Sequence, residues 1–190
     1  MLIGAAAAEA PEKSDVLLMC REVEVQNLEQ PDFKERVPLF FDVGSQKSYI
    51  DETLALRLKL PWESQAPLSV ATFASKAPQR FETKRALAGI RLASQEIKKV
   101  NLNTVNYMTQ KLQMVDSPEK LSMTSGKGVF PRGTKWKEPQ ILIGADYFFD
   151  FVRSIRKEPS GFYVVETTVG PVVSGKGELD SRLKICKSSA

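Results

Sequence analysis

Residues 39–50 read LFFDVGSQKSYI, and this stretch joins an apolar run directly to an acid. Leu39, Phe40 and Phe41 predict a short buried strand, and Asp42 follows before the small residues of a turn. An acid at this point has two interpretations. Asp42 is either an ordinary turn residue after a strand, or a carboxylate that the strand places at a functional site.

The segments around this stretch predict the elements that carry it. Residues 16–27, VLLMCREVEVQN, pass from an apolar run into alternation, which indicates a strand that pairs with residues 37–41 as a hairpin. Residues 48–60 have apolar positions, early acids and late basic residues that predict a helix, which Pro61 ends. Alternation within residues 67–107 then predicts several strands.

The length of 190 residues suits one domain with tails. We expect a flexible lead-in over residues 1–15, a domain over 16–169, and a strand remnant with a polar tail over 170–190. Residues 108–139 are rich in Lys, Ser, Thr, Gly and Pro and predict a long basic loop or insertion within the domain. The organisation is therefore a single, mainly β unit with one or two short helices.

Composition excludes several classes of chemistry. The chain has 42% hydrophobic and 26% charged residues, as globular domains do, and no histidine. Catalysis by a Ser-His-Asp or Cys-His set is therefore excluded, and the two cysteines, Cys20 and Cys186, predict no zinc site. We expect no metal and no cofactor. Cysteine usage and the lack of a long apolar run favour an intracellular, cytoplasmic protein without a membrane span.

A second segment repeats the pattern of the first. Ile141, Leu142 and Ile143 predict a buried strand that is followed at once by Gly144, and ADYFFDFV then predicts a short apolar helix. Glycine directly after a buried strand allows a sharp turn and a close approach of two backbones.

The two segments together resemble the retropepsin-like aspartic proteases. FFDVGSQKSYIDETLALRL is similar to the Asp-Ser-Gly-Ser-Gln-x-Ser-Phe/Tyr-Ile stretch of the BEL/Pao retrotransposon proteases. ILIGADYFFDFV and GFYVVETTVGPVVSGKG resemble two later blocks of that group in the same order. The resemblance extends from about residue 16 to 177 and implies a closed β-barrel-like acid-protease fold with one lobe per chain.

The resemblance also implies site residues. Asp42 would be the catalytic acid, within an active-site loop of Val43, Gly44 and Ser45. Because the chain has one matching Asp-x-Gly, a homodimer would supply the second Asp42 across a two-fold axis. The second apolar-Gly block would support this loop through Ile143, Gly144, Ala145 and Asp146, with Asp146 capping the helix that follows.

Two further features enter by the same resemblance. Residues 72–81 would form the flap over the substrate, with its tip at Ser75, Lys76, Ala77 and Pro78. Val43 departs from the family pattern, which has Thr or Ser there with a hydroxyl that hydrogen-bonds across the dimer. Weaker dimerisation, or a fold retained without efficient catalysis, would follow from that departure.

Three functions are consistent with these features. The first is an aspartic endopeptidase of a retrotransposon polyprotein, with a peptide or polyprotein as substrate and a second copy as partner. The second is a non-catalytic dimerisation or peptide-binding module, because Val43 lacks the hydroxyl. The third is nucleic-acid binding through the basic 108–139 segment, which the modest net charge of +4 disfavours.

Overall fold

The computed structural model of the chain describes residues 15–64, 67–70, 79–115 and 134–177. These residues form mainly strands and two short helices, which confirms the predicted fold class. Residues 1–14 of the predicted lead-in and the flap tip lie outside the described residues, while Asp15, the last residue of that lead-in, begins a strand. Within the described part of the chain, no helix is both long enough and apolar enough to cross a lipid bilayer.

Six strands close into a β-barrel. In order around the barrel they are β2 (Cys20–Gln26), β3 (Lys34–Phe41), β12 (Ile141–Ile143), β4 (Tyr49–Asp51), β9 (Ile97–Val105) and β8 (Lys84–Arg91). The ring closes because β8 also pairs with β2, and β5 (Trp62–Ser64) pairs with the beginning of β8 on that same edge. The antiparallel pairing of β2 with β3 is the predicted hairpin that leads to Asp42.

Branched aliphatic side chains from all six barrel strands fill the barrel interior. In β3, Val37, Leu39 and Phe41 are buried while Arg36 is exposed, which is the alternation that a strand with one core face requires. Many of these side chains have no solvent exposure, among them Val25, Leu39, Ile50, Ile90, Leu102 and Ile141. The apolar run before Asp42 is therefore part of the core.

The described residues form three smaller sheets outside the barrel. A four-stranded sheet has the order β1 (Asp15–Leu17), β15 (Val172–Gly177), β14 (Tyr163–Thr167) and β13 (Val152–Lys157). Two strand pairs complete the set: β6 (Leu68–Val70) with β7 (Gln79–Phe81), and β10 (Leu112–Val115) with β11 (Thr134–Lys137). The segment predicted as a long loop at 108–139 thus begins and ends in paired strands.

The helix predicted over residues 48–60 is shorter than expected. Its first residues form β4, and helix α1 spans Glu52–Arg57, while the second helix, α2, spans Ala145–Phe151. Asp51 caps α1 by accepting the Leu54 N–H at 3.1 Å. The prediction of a start at Ser48 was wrong because Tyr49 and Ile50 pair with neighbouring strands, and tertiary pairing overrides a helical pattern.

A buried asparagine joins the first hairpin to the end of α1. The Nδ2 group of Asn27 donates to the carbonyls of Leu58 at 3.1 Å and Lys59 at 2.7 Å. Its Oδ1 atom accepts the N–H groups of Glu29 at 2.8 Å and Gln30 at 3.1 Å. This one side chain therefore satisfies backbone groups of two separate elements.

We expect Asn27→Ala to lower the free energy of unfolding by about 2–4 kcal/mol, because it leaves several backbone groups without partners. Urea denaturation followed by circular dichroism measures the change. Asn101→Ala is the matched control, since Asn101 is exposed on β9. Equal unfolding midpoints for the two variants would contradict the predicted role.

Candidate active site

Asp42 directly follows β3 and is half-buried at the edge of the barrel. Its N–H donates to the carbonyl of Ile143 at 2.9 Å, which fixes the backbone. Its Oδ1 atom accepts the N–H of Gly44 at 2.9 Å. Among the described residues, the other carboxylate oxygen has no hydrogen-bond partner. The acid is thus held at its backbone and at one oxygen, with the other oxygen available.

The loop after Asp42 folds on itself and faces solvent. The Ser45 N–H donates to the Asp42 carbonyl at 3.1 Å, and the Ser45 hydroxyl donates to the Lys47 carbonyl at 2.8 Å. Val43 is 52% exposed, although its side chain is entirely apolar. The loop therefore presents the carboxylate beside an uncovered apolar side chain.

The second apolar-Gly block lies directly against this loop. Strand β12 runs parallel to β3 with Ile143 opposite Phe41, so both strands end at the same level of the barrel. The Ala145 N–H then donates to the Ser45 carbonyl at 2.7 Å. The two segments are about a hundred residues apart in sequence, and the fold joins them into one site.

Gly144 allows the two backbones to approach this closely. A Cβ atom at this position would lie 2.3 Å from the Lys47 carbonyl oxygen and 2.7 Å from the Ser45 carbonyl oxygen. Both atoms belong to the backbone of the loop, so a methyl group here could be accommodated only by moving the loop itself. A residue with a Cβ atom therefore does not fit at this position, and glycine is required.

Asp146 does not have the predicted capping role. Helix α2 begins after Gly144 and has no side-chain cap. The Asp146 carboxylate instead accepts the hydroxyl of Ser48 at 2.6 Å and the N–H of Ser48 at 3.1 Å. The carboxylate turns away from its own helix because a buried hydroxyl and a buried N–H of the site loop are within reach.

Aromatic side chains of α2 pack against the residue that precedes Asp42. Phe41, the residue before Asp42, contacts Phe148 and Phe151 of α2 edge to face, with ring centroids 6.3 and 5.7 Å apart. Such contacts contribute about 0.5–1.5 kcal/mol each beyond the area they bury. The helix thus fixes the strand end that carries Asp42.

Two other ionisable groups near the barrel core, the Cys20 thiol and the Tyr49 phenol, have raised pKa values and stay protonated at neutral pH. Burial raises the pKa of the Cys20 thiol to about 12, so this cysteine is not a nucleophile at neutral pH. Burial, together with the nearby Asp146 charge, raises the pKa of Tyr49, which therefore stays protonated. In the described ranges no three Asp, Glu or Cys side chains are placed to hold a metal ion.

The sequence did not identify Ser48 as a site residue. Its side chain is completely buried, its hydroxyl accepts the Gly144 N–H at 2.9 Å, and it contacts Asp146 as described above. The one available signal was a polar residue two positions before the buried Ile50, because alternation along a strand places both on the same face. Such a pattern does not distinguish a site residue from a buried core serine whose polar groups all have hydrogen-bond partners.

The family described as "Putative peptidase (DUF1758)" has a model that matches residues 23–182, which include the barrel from the middle of β2 onward and both halves of the site. No curated protein matches the chain.

Proposed function

We propose that this chain, which belongs to the peptidase family matched by its residues 23–182, is an aspartic endopeptidase that acts as a homodimer. The observation that carries the proposal is the position of Asp42. It is a half-buried acid with one free oxygen, at the end of a core strand, on a loop held by the second block. By resemblance to the BEL/Pao proteases, its substrate is a retrotransposon-derived polyprotein.

Hydrolysis of a peptide bond by this site needs two carboxylates that share a proton. One ionised carboxylate takes a proton from water as the water attacks the carbonyl carbon. The other, protonated carboxyl donates a hydrogen bond to the carbonyl oxygen. Like charges this close cannot both ionise, so the pair titrates in two coupled steps.

A second copy of the chain supplies the second acid. Each chain contributes one Asp42, and the carboxylate of Asp146 is already committed to Ser48. A two-fold axis beside the exposed loop would bring the two Asp42 side chains together, since such an interface uses the same surface of both subunits. Val43, exposed beside the acid, would then lie at this interface.

Cleavage of a mixed peptide library at mildly acidic pH tests the proposal, over a wide range of protein concentrations. We expect the rate to rise faster than linearly with protein concentration, because only the dimer contains both acids. A rate strictly proportional to concentration, at levels where the protein is shown to be monomeric, would contradict the dimeric mechanism. Complete lack of cleavage at concentrations where the dimer forms would contradict the proposed activity.

Val43→Thr is expected to tighten the dimer about five- to a hundredfold. By resemblance, a hydroxyl at this position hydrogen-bonds to the partner subunit, and two symmetric bonds contribute about 1–3 kcal/mol in total. Sedimentation equilibrium measures the dissociation constant. Val43→Ala is the control, since it shortens the side chain without adding a hydroxyl. Equal dissociation constants for Val43→Thr and the native chain would contradict the explanation.

The exposed Val43 also favours a second candidate function. An apolar side chain that is 52% exposed beside the acid, without a hydroxyl, suits a dimerisation or peptide-binding module that lacks catalysis. This module would bind library peptides and self-associate without cleaving them, so the same experiment separates the two functions.

A further inference from the structure

Ser48 is a completely buried polar residue at the point where the Asp42 loop, helix α2 and strand β9 meet. It ends the loop that begins at Asp42, and it directly precedes β4. Its hydroxyl and N–H contact the first turn of α2, and its carbonyl contacts β9. A buried serine with satisfied groups is ordinary in a core, so the elements that this one joins decide its importance.

All the polar groups of Ser48 have partners. The hydroxyl donates to Asp146 Oδ1 at 2.6 Å and accepts the Gly144 N–H at 2.9 Å. The N–H donates to Asp146 Oδ2 at 3.1 Å. The carbonyl accepts both the N–H and the Nδ2 group of Asn103 at 3.0 Å. The end of the site loop is therefore fixed in three directions.

The residue at position 146 suits this arrangement because it is a carboxylate. Each of its two oxygens accepts one hydrogen bond from Ser48, and an ionised carboxylate is purely an acceptor. Hydrogen bonds to an ionised acceptor are shorter and stronger than neutral ones, in agreement with the 2.6 Å distance. An amide in its place would offer one acceptor and one donor, and the donor would face the Ser48 N–H or O–H.

The start of the same loop is held by a separate contact, the bond from the Asp42 N–H to Ile143. Backbone contacts thus fix the acid end of the loop, and the Ser48–Asp146 pair fixes the far end. Between these ends, the loop around Val43 and Gly44 is exposed. Release of one end would leave the loop, and with it the Asp42 carboxylate, free to shift.

We propose that Ser48 and Asp146 are positioning residues, which hold the Asp42 loop at the distance from its symmetry mate that proton sharing needs. The inference rests on the proposed dimeric function. The two carboxylates repel more strongly the closer they are, so their separation sets the gap between the two apparent pKa values of the pair. A looser loop would therefore reduce that gap.

Kinetics of Ser48→Ala, Ser48→Thr and Asp146→Asn test the inference, measured against pH at protein concentrations that saturate the dimer. The matched control is Ser94→Ala, because the Ser94 hydroxyl donates to a carboxylate, that of Glu96, in an exposed turn. We expect Ser48→Ala and Asp146→Asn to lower kcat about ten- to a hundredfold with KM little changed, as for small misplacements of reacting groups.

The pH profile separates positioning from a loss of folded protein. We expect the bell-shaped profile of kcat to narrow in Ser48→Ala and Asp146→Asn, and Ser48→Thr, which keeps the hydroxyl, to retain the native width. A reduced fraction of folded protein would lower kcat at every pH without changing the width. A native-width profile in Ser48→Ala, or a kcat equal to that of Ser94→Ala, would overturn the inference.

Hydrogen exchange provides a readout that does not need catalysis. In Ser48→Ala we expect faster exchange in peptides covering residues 42–48 and 143–146, with unchanged protection in β8 and β9. Uniformly faster exchange across the chain, or no acceleration in these peptides, would overturn the inference that Ser48 anchors the loop. If the native chain cleaves no peptide, the proposed function fails, while the exchange result still decides whether Ser48 anchors the loop.

Discussion

The Asp42→Asn variant is expected to cleave peptides at least about a thousandfold more slowly than the native chain, because the amide can neither take a proton from water nor share one. Asn keeps the size of the side chain and an acceptor for the Gly44 N–H, so the fold should be retained. Asp32→Asn is the matched control, since Asp32 is an exposed acid in the turn before β3. Peptide cleavage measured by mass spectrometry gives both rates.

Mixing the variant with the native chain tests the shared site directly. If one Asp42 from each subunit is needed, every mixed dimer is inactive. With an approximately ninefold excess of Asp42→Asn and time for subunit exchange, cleavage should fall to about one tenth, because about a tenth of native subunits then meet a native partner. The same excess of Asp32→Asn should not inhibit. Undiminished cleavage in the Asp42→Asn mixture would show that a single chain holds a complete site.

Gly144→Ala is expected to lower the free energy of unfolding by about 3–5 kcal/mol, through steric overlap and the loss of backbone hydrogen bonds. The new methyl group would lie 2.3 Å from the Lys47 carbonyl oxygen, so the loop must move away from β12. That movement breaks the bonds that Gly144 and Ala145 donate to Ser48 and Ser45. For a domain with a total stability of about 5–15 kcal/mol, this is a large part of the whole.

The control for Gly144→Ala lies in the same loop. A Cβ atom at Gly44 would meet only the Asp42 Oδ1 atom within 4 Å, at 3.1 Å, and the position is exposed. Gly44→Ala should therefore change the free energy of unfolding by less than about 1 kcal/mol. Urea denaturation compares the two variants, and similar midpoints would show that steric overlap does not exclude a side chain at Gly144.

The elements that the sequence predicted well depend on local patterns. The apolar run at the end of β3 and the apolar run of β12 each reflect burial along a few consecutive residues, and both strands occur where these runs indicated. The prediction of a closed, mainly β fold is confirmed. Asp42 was identifiable because it directly follows one such run, and its catalytic role remains a prediction.

What the sequence could not predict depends on contacts between distant residues. Nothing near Asp146 indicates that its carboxylate accepts from Ser48, 98 positions earlier, in preference to capping its own helix. The start of α1 was misplaced for a similar reason, because the pairing of β4 with β12 and β9 is invisible in residues 48–60. Local propensity does not contain the free energy of strand pairing with partners elsewhere in the chain.

The place of β12 in the barrel has a consequence for how the chain folds. This strand comes late in the sequence, yet it lies between β3 and β4, which come early. On the ribosome, the first hairpin and α1 emerge long before the strand that completes their sheet, so β3 and β4 have open edges in the interval. Contacts of such large sequence separation make folding slow. Asp42 therefore reaches its position in the folded chain only when the barrel closes, and under the proposed function a partly synthesised chain would have no assembled site for peptide cleavage.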